Sequence, residues 1–370
     1  MFMAKSHRSL NKLGRLFRAA ALALFALAGF SMCGKVSGPD SPDNGWVELG
    51  DNVPISFSTT LTGQETKSNP LNADFRVFAF YQPGVVDDNP AVDYTGTWND
   101  LAINHWTSNF MYNQAVTYAA GHWTYSPVKY WPNNPENTIT FWAYSPSTYG
   151  GQSFFQLYKA NTAVAYGNDV PGAPEIQFTT DGTRDLLVSE LAEDLSYRGG
   201  DPADGVVSLT FNHTMAWVDF AVKKVDDANS YTIKLKSITL QNVCQTAIYT
   251  LNGWGNDSNR GNFTVYDCGV GDGTELDKDE GDRITFPTGG TKLLLIPQTL
   301  RNTTATLQVV YTIGSHEYTE SVLLGNITTL WEEGKHYTYK VNISPGNPIL
   351  FTAVVAAWDA EQNGYFSVNG

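Results

Sequence analysis

Charge is scarce in this chain. Asp, Glu, Lys and Arg make up 16% of its 370 residues, against roughly a quarter in an average globular domain. Cysteine is scarcer, with three in all, which excludes a disulfide-dense scaffold. The longest apolar run, residues 19–30, is too short to span a bilayer. No segment carries apolar residues at helical spacing over three or more turns. The best short candidate, DLLVSELAEDLS, reads equally as a strand and a turn. A helical cytosolic enzyme is not the expectation. The chain also lacks the motifs that carry common chemistries. It has no G-x-S-x-G elbow, no H-E-x-x-H, no phosphate-binding loop and no dinucleotide fingerprint. His105 and His122 stand 17 residues apart with no Cys or carboxylate at ligand spacing, which favours loop imidazoles over a zinc pair. In DGTELDKDEGD, Asp277 and Asp279 resemble the start of a calcium loop. The glycine falls at the fifth position and no Glu stands at the twelfth, so a solvated hairpin loop is expected. No metal, cofactor or catalytic group follows from the sequence.

What is present begins with an export signal. Lys5, Arg8, Lys12, Arg15 and Arg18 precede the apolar run AAALALFALAGF, and SMCG follows. Residues 1–32 read as a signal peptide, with Cys33 at the position of an acylated lipoprotein cysteine. Met32 stands where Gly or Ala is usual; the other reading is ordinary cleavage nearby and a free secreted product. Residues 33–45, rich in Gly, Ser, Pro and Asp, would form a lipidated tether. Removal of residues 1–32 would leave 18 basic and 37 acidic residues, a net charge of −19. Such a surface repels nucleic acid and anionic lipid, so membrane attachment would come through the lipid alone. Cys244 and Cys268 would remain, either as a disulfide or as two separate thiols.

After the tether, alternation at period two dominates. Val53, Ile55 and Phe57 alternate with polar or small residues, as do Val207, Leu209 and Phe211, and the run HYTYKVNI. Strand follows strand without crossover helices, which argues for an all-β protein built of antiparallel sandwiches. GGDPADG, residues 199–205, is the best linker, dividing an N-terminal domain, 46–198, from a C-terminal domain, 199–370. WTYSPVKYWPNNPENTITFWAYSP, residues 123–146, concentrates aromatics and reads as strand, turn, strand. One face is expected to fill a core; the other would cover a loop or stay wet.

These segments together resemble the fimbrillin family of type V pilus lipoproteins. The residues that carry the likeness are ISFSTTLTGQETKSN, KYWPNNPENTITFWAYSP, DLLVSE, VSLTFNHTMAWVDFAVK, LLLIPQ, WEEGKHYTYKVNI and ILFTAVVAAW. The resemblance implies two tandem transthyretin-like β-sandwiches and export as a lipoprotein to the outer membrane. It also implies a place in a surface fimbrium, with other pilin subunits or surface ligands as partners. In polymerising members a protease removes the first strand, and a terminal strand of the next subunit fills the groove. The best-known members are cut after an arginine, but this chain has none between Cys33 and Arg76. Lys67, in a loop-like stretch, is the alternative processing site or an ordinary loop lysine. A non-enzymatic fimbrial subunit or adhesin is the leading reading. The alternative is a carbohydrate-binding outer-membrane lipoprotein using Trp98, Trp106 and Trp123 as sugar-stacking rings. On the lipoprotein reading, Cys33→Ala is expected to move the protein from the membrane to the soluble fraction, as followed by cell fractionation. A variant that stays with the membrane and keeps a mature terminus away from residue 33 counts against it.

Overall fold

Alternation becomes strand throughout the described part of the chain. The computed structural model describes residues 53–62, 71, 73–82, 110–134, 137–148, 174–197, 202–225, 231–345 and 349–358. All lie in the unit Leu49–Gly370. The first strands are β1 (Ser56–Leu61), β2 (Phe75–Gln82), β3 (Met111–Ala119), β4 (His122–Thr124), β5 (Thr138–Ser145) and β6 (Ile176–Thr179). Then come β7 (Leu187–Ser189), β8 (Ala192–Leu195), β9 (Val206–His213), β10 (Ala216–Lys224), β11 (Ile233–Thr250) and β12 (Gly253–Asp267). The remainder are β13 (Thr274–Glu275), β14 (Ile284–Phe286), β15 (Leu293–Leu295), β16 (Gln298–Thr299), β17 (Thr306–Ile313), β18 (His316–Leu323), β19 (Leu330–Trp331), β20 (Lys335–Ile343) and β21 (Leu350–Ala357). Among the described residues no helix is long and apolar enough to cross a membrane.

The first sheet runs β1-β9-β7-β5-β2-β3-β4, with β8 on β5. A second runs β14-β10-β20-β21, with β15 on β10, and a third runs β12-β11-β17-β18, joined by β6 and β13. Most pairings are antiparallel, as expected. Two are parallel: β1 on β9, Ser56 opposite Val206 through Leu61 opposite Phe211, and β10 on β20, Trp217 opposite His336 through Lys224 opposite Ile343. A parallel pair cannot be joined by a tight turn, so in each half the chain completes a circuit before the early strand meets the late one.

This closure moves the expected division. β9 follows the 199–205 linker yet belongs to the first sheet, so the sheets do not separate at residues 198/199. In the other direction β6, from the first half, pairs with β11, Thr246 opposite Thr179. The passage from one sheet to the next lies at Thr214–Met215, between β9 and β10.

Three cores result. One lies inside the first sheet, around Phe57, Phe75, Phe141 and Phe211. The second lies between the other two large sheets, around Phe220, Leu240, Trp331 and Tyr339. The third joins them and includes Phe78, Trp142, Tyr144, Phe178 and Trp217. The third core corrects the reading of β5. Its second face is not wet: Trp142 is 2% and Tyr144 0% exposed, because the side chains around Phe178 and Trp217 cover it. β10 has the same character, with Val218 and Phe220 facing one core and Trp217 the other.

The cysteines do not pair; both thiols are free. Cys244 stands opposite Arg260 on β12, while the Cys268 amide donates to the Lys236 carbonyl at 2.9 Å. Eight residues along β11 separate those positions, about 25 Å at strand rise. A disulfide needs Cα atoms within about 7 Å. The 24-residue spacing allowed either neighbouring strand ends or separate thiols; the β11–β12 ribbon is long and the two cysteines lie far apart along it.

The acidic loop after β13 has a mechanical role. Glu280 accepts from Arg283 at 2.7 Å and Lys340 at 3.1 Å, and pairs with Lys223 at 2.9 Å. Arg283 also donates to the Ala221 carbonyl and to Asn342 Oδ1, tying the loop to β10 and β20. The Arg283 hydrogen bond, with Lys223 and Lys340 beside it, holds the Glu280 carboxyl far below its usual 4.5. The contribution is complete above that value and fades as pH falls toward the folded one. Glu280 is half-exposed, so the gain is small. Glu280→Gln is expected to flatten the acid side of the stability profile below about pH 4.5, with its small cost present in full near neutrality and vanishing in acid, read by urea denaturation across pH.

Candidate functional site

The first strand and its groove form the most developed site. Ile55, Phe57 and Leu61 are 2%, 6% and 5% exposed and point into the first core, while Ser58 faces outward. Val53 packs partly buried beside them. The outer face carries a ladder of polar pairs onto β9: Ser58 Oγ with Ser208 Oγ at 3.1 Å, and Thr60 Oγ1 donating to Thr210 Oγ1 at 3.2 Å. Just beyond the strand, Thr62 Oγ1 donates to Asn212 Oδ1 at 2.5 Å. Parallel register puts like beside like, which suits hydroxyl pairs.

The groove beneath is aromatic. The Phe57 ring meets Phe75 at 5.7 Å and Phe141 at 6.0 Å, both edge to face, and Tyr125 at 5.5 Å. Phe75 in turn meets Trp123 edge to face at 4.8 Å. Such contacts add modestly to the large apolar area that these rings bury. The segment 123–131 also grips the backbone of the first strand and its approach. The Ile55 amide donates to the Lys129 carbonyl and the Trp131 amide to the Val53 carbonyl, both at 2.9 Å. Tyr125 Oη donates to the Ile55 carbonyl at 2.8 Å, and Trp123 Nε1 to Thr59 Oγ1 at 3.2 Å. Burial pushes the Tyr125 phenol up, so it stays a neutral donor. Trp131 Nε1 donates to the Gly205 carbonyl at 3.0 Å. Gly205 has φ +71°, and a Cβ there would lie 2.8 Å from Val53 Cγ1 and 2.9 Å from the Pro54 carbonyl oxygen; only glycine fits.

The last strand is a different kind of element. β21 pairs with β20 on one side and lies at the edge of its sheet. It stands outside the β10–β20 closure. Phe351, Ala353 and Val355 pack partly buried on the second core, while Leu350 is 60% exposed and Thr352 is exposed.

The residues singled out from sequence scatter. Trp123 is 7% exposed, walled in by Phe75 and Tyr118. It is a core residue holding the first strand, with no face free for a sugar ring. Trp98, Trp106, Lys67, His105 and Cys33 lie outside the described residues. Asp277, Asp279 and Asp282 bring carboxylate oxygens within 4.8 Å of one another, all exposed; they are the only such grouping among the described residues. The contacts of Thr59, Tyr125 and Gly205 escaped the sequence reading, because their partners lie 64 to 74 residues away.

Fold and site together define an all-β sandwich protein closed by its own first strand and carrying an extra strand at a sheet edge. A family model described as fimbrillin-like matches residues 86–358, and the chain belongs to that family. The fimbrium subunit Fim1C of Phocaeicola vulgatus is 28% identical over 175 residues, 46% of this chain and 42% of that protein. The match therefore spans about two fifths of that relative. A crystal structure of a fimbrial protein from Bacteroides vulgatus ATCC 8482 is similar with a TM-score of 0.59 at 20% identity, covering 82% of this chain and 99% of that one. That likeness shows a shared fold.

If Phe57 holds the first strand in place, Phe57→Ala should cost about 3–5 kcal/mol in chemical denaturation. Ser58→Ala, on the outer face, should cost about 1 kcal/mol or less. Equal losses would mean that the aromatic groove is not what retains β1.

Proposed function

We propose that the protein is a non-enzymatic fimbrial subunit of the cell surface. It is exported as a lipoprotein through Cys33 to the outer membrane and joined to neighbouring subunits by β-strand addition. In this reading β1 is the strand that leaves and β21 the strand that is given. Membership in the fimbrillin-like family supports the fimbrial role. The observation that carries the mechanism is the contrast between the two strands. β1 covers an aromatic groove in parallel register with β9, whereas β21 lies half-buried outside the closure of its half.

The physics is that of an unfilled groove. Losing β1 would uncover Phe75, Trp123, Tyr125 and Phe141 and strip β9 of its edge partner, a state that is costly until another strand fills it. Three buried side chains at about 2 kcal/mol each retain β1 by about 6 kcal/mol before chain entropy is counted. A nicked strand would therefore stay until an incoming strand displaced it. β21 is already docked on β20, so donation requires undocking first. A subunit whose last strand stays docked would serve as a tip, an anchor or a surface adhesin instead.

Limited digestion with a lysine-specific protease tests the reading. Cleavage at Lys67 followed by size analysis is expected to give ladders of oligomers, and the uncut protein should stay monomeric. A protein cleaved at Lys67 that remains monomeric overturns strand addition through β1.

A further inference from the structure

The end of β21 is held by side chains that strand pairing does not require. Along the strand Leu350, Thr352 and Ala357 are exposed and the other residues half-buried, and full burial returns at its two flanks, Ile349 at 8% and Trp358 at 5%. Ile349 enters the second core. Trp358 enters the junction core instead, and its indole is stacked on His213, the last residue of β9, at 4.2 Å and 10°. Trp217 of β10 lies 5.9 Å from it and is itself stacked on His336 of β20 at 3.6 Å and 6°. Lys292 Nζ sits over both indoles, 4.0 Å from Trp217 and 5.4 Å from Trp358. Each imidazole is fixed by a carboxylate: His213 Nδ1 to Asp185 Oδ2 at 2.6 Å, and His336 Nε2 to Asp219 Oδ2 at 2.7 Å. The chain of contacts, two stacks joined by a tilted pair of indoles, thus runs Asp185–His213–Trp358–Trp217–His336–Asp219 across β9, β10, β20 and the end of β21.

The backbone converges on the same point. The Gly334 amide donates to the Met215 carbonyl at 3.1 Å, and the Trp358 amide to the Gly334 carbonyl at 2.9 Å. Gly334 has φ +62°, and a Cβ there would lie 3.3 Å from the His213 carbonyl oxygen, so a glycine suits the crossing.

From this we infer that Trp358 is a latch. It keeps the last strand docked by tying its end to β9 and β10, outside the sheet in which β21 is paired. Peeling β21 from β20 breaks edge hydrogen bonds and half-buried contacts, and it must also draw an indole out of a π stack capped by an ammonium group. His213 and Asp185 are positioning residues: they present the flat imidazole on which the indole rests. The latch is autoinhibitory in that it holds the strand on its own subunit. That last step rests on the strand-addition reading above; the mechanical coupling does not.

Hydrogen exchange of the β21 amides, measured with those of β1 and β17 as internal references, tests the latch. Trp358→Ala and, independently, His213→Ala are each expected to speed exchange across residues 350–357 at least tenfold, leaving β1 and β17 at wild-type rates. Trp358→Phe is expected to keep most of the protection. The double variant should exchange little faster than either single one, because both remove the same contact. Wild-type exchange of β21 in both single variants overturns the latch, and so does equal acceleration of β1, β17 and β21, which would mark an ordinary core residue. Lys67 cleavage of Trp358→Ala separates the two readings. Faster oligomer ladders than wild type support both, whereas fast β21 exchange with no ladders overturns strand addition and leaves the latch standing.

Discussion

Parallel pairing of an early strand with a late one is the constraint on which this fold depends. β1 meets β9, and β10 meets β20. Because a parallel pair needs a long connection, each closure requires the intervening strands to be placed first. These contacts are among the most non-local in the chain, the kind that reward the chain late and slowly. The closures also set what each terminal strand is. β1 completes a sheet and covers a core; β21 adds to a sheet that is already closed.

The junction core converts two closed halves into one body. β5 and β10 are buried on both faces, so neither half presents a finished surface where they meet. β6 crosses into the ladder of β11, and the β11–β12 ribbon extends from the second core into the junction core. The halves are therefore joined by ladder hydrogen bonds and buried rings and not by a linker alone.

The two terminal strands lie at sheet edges. The groove beneath β1 combines a dry aromatic floor with backbone clamps at Ile55 and Trp131. Floor and clamps together hold β1, through side-chain pockets at alternate positions and a register of hydrogen bonds. His213, Trp358 and Trp217 meet where both closures and the last strand converge, so the end of the last strand touches the first sheet.

Much was legible from local pattern. Alternation along VVSLTFNH and KHYTYKVNI marked strands and their inward faces correctly, because period two depends only on residues i and i+2. The aromatic density of residues 123–146 marked a core, because large rings find enough buried area nowhere else. The tertiary structure decided the rest. Composition singled out the polar 199–205 stretch as the boundary, but β9 beyond it returns to close the first sheet. Spacing left Cys244 and Cys268 open as a pair or as two separate thiols, and the length of β11 separates them. Trp123, a sugar-stacking ring only on the alternative reading, is enclosed by Phe75 and Thr59. In each case the deciding contact joins residues dozens to more than a hundred positions apart, and the register of a closed sheet, which no local window contains, brings them together.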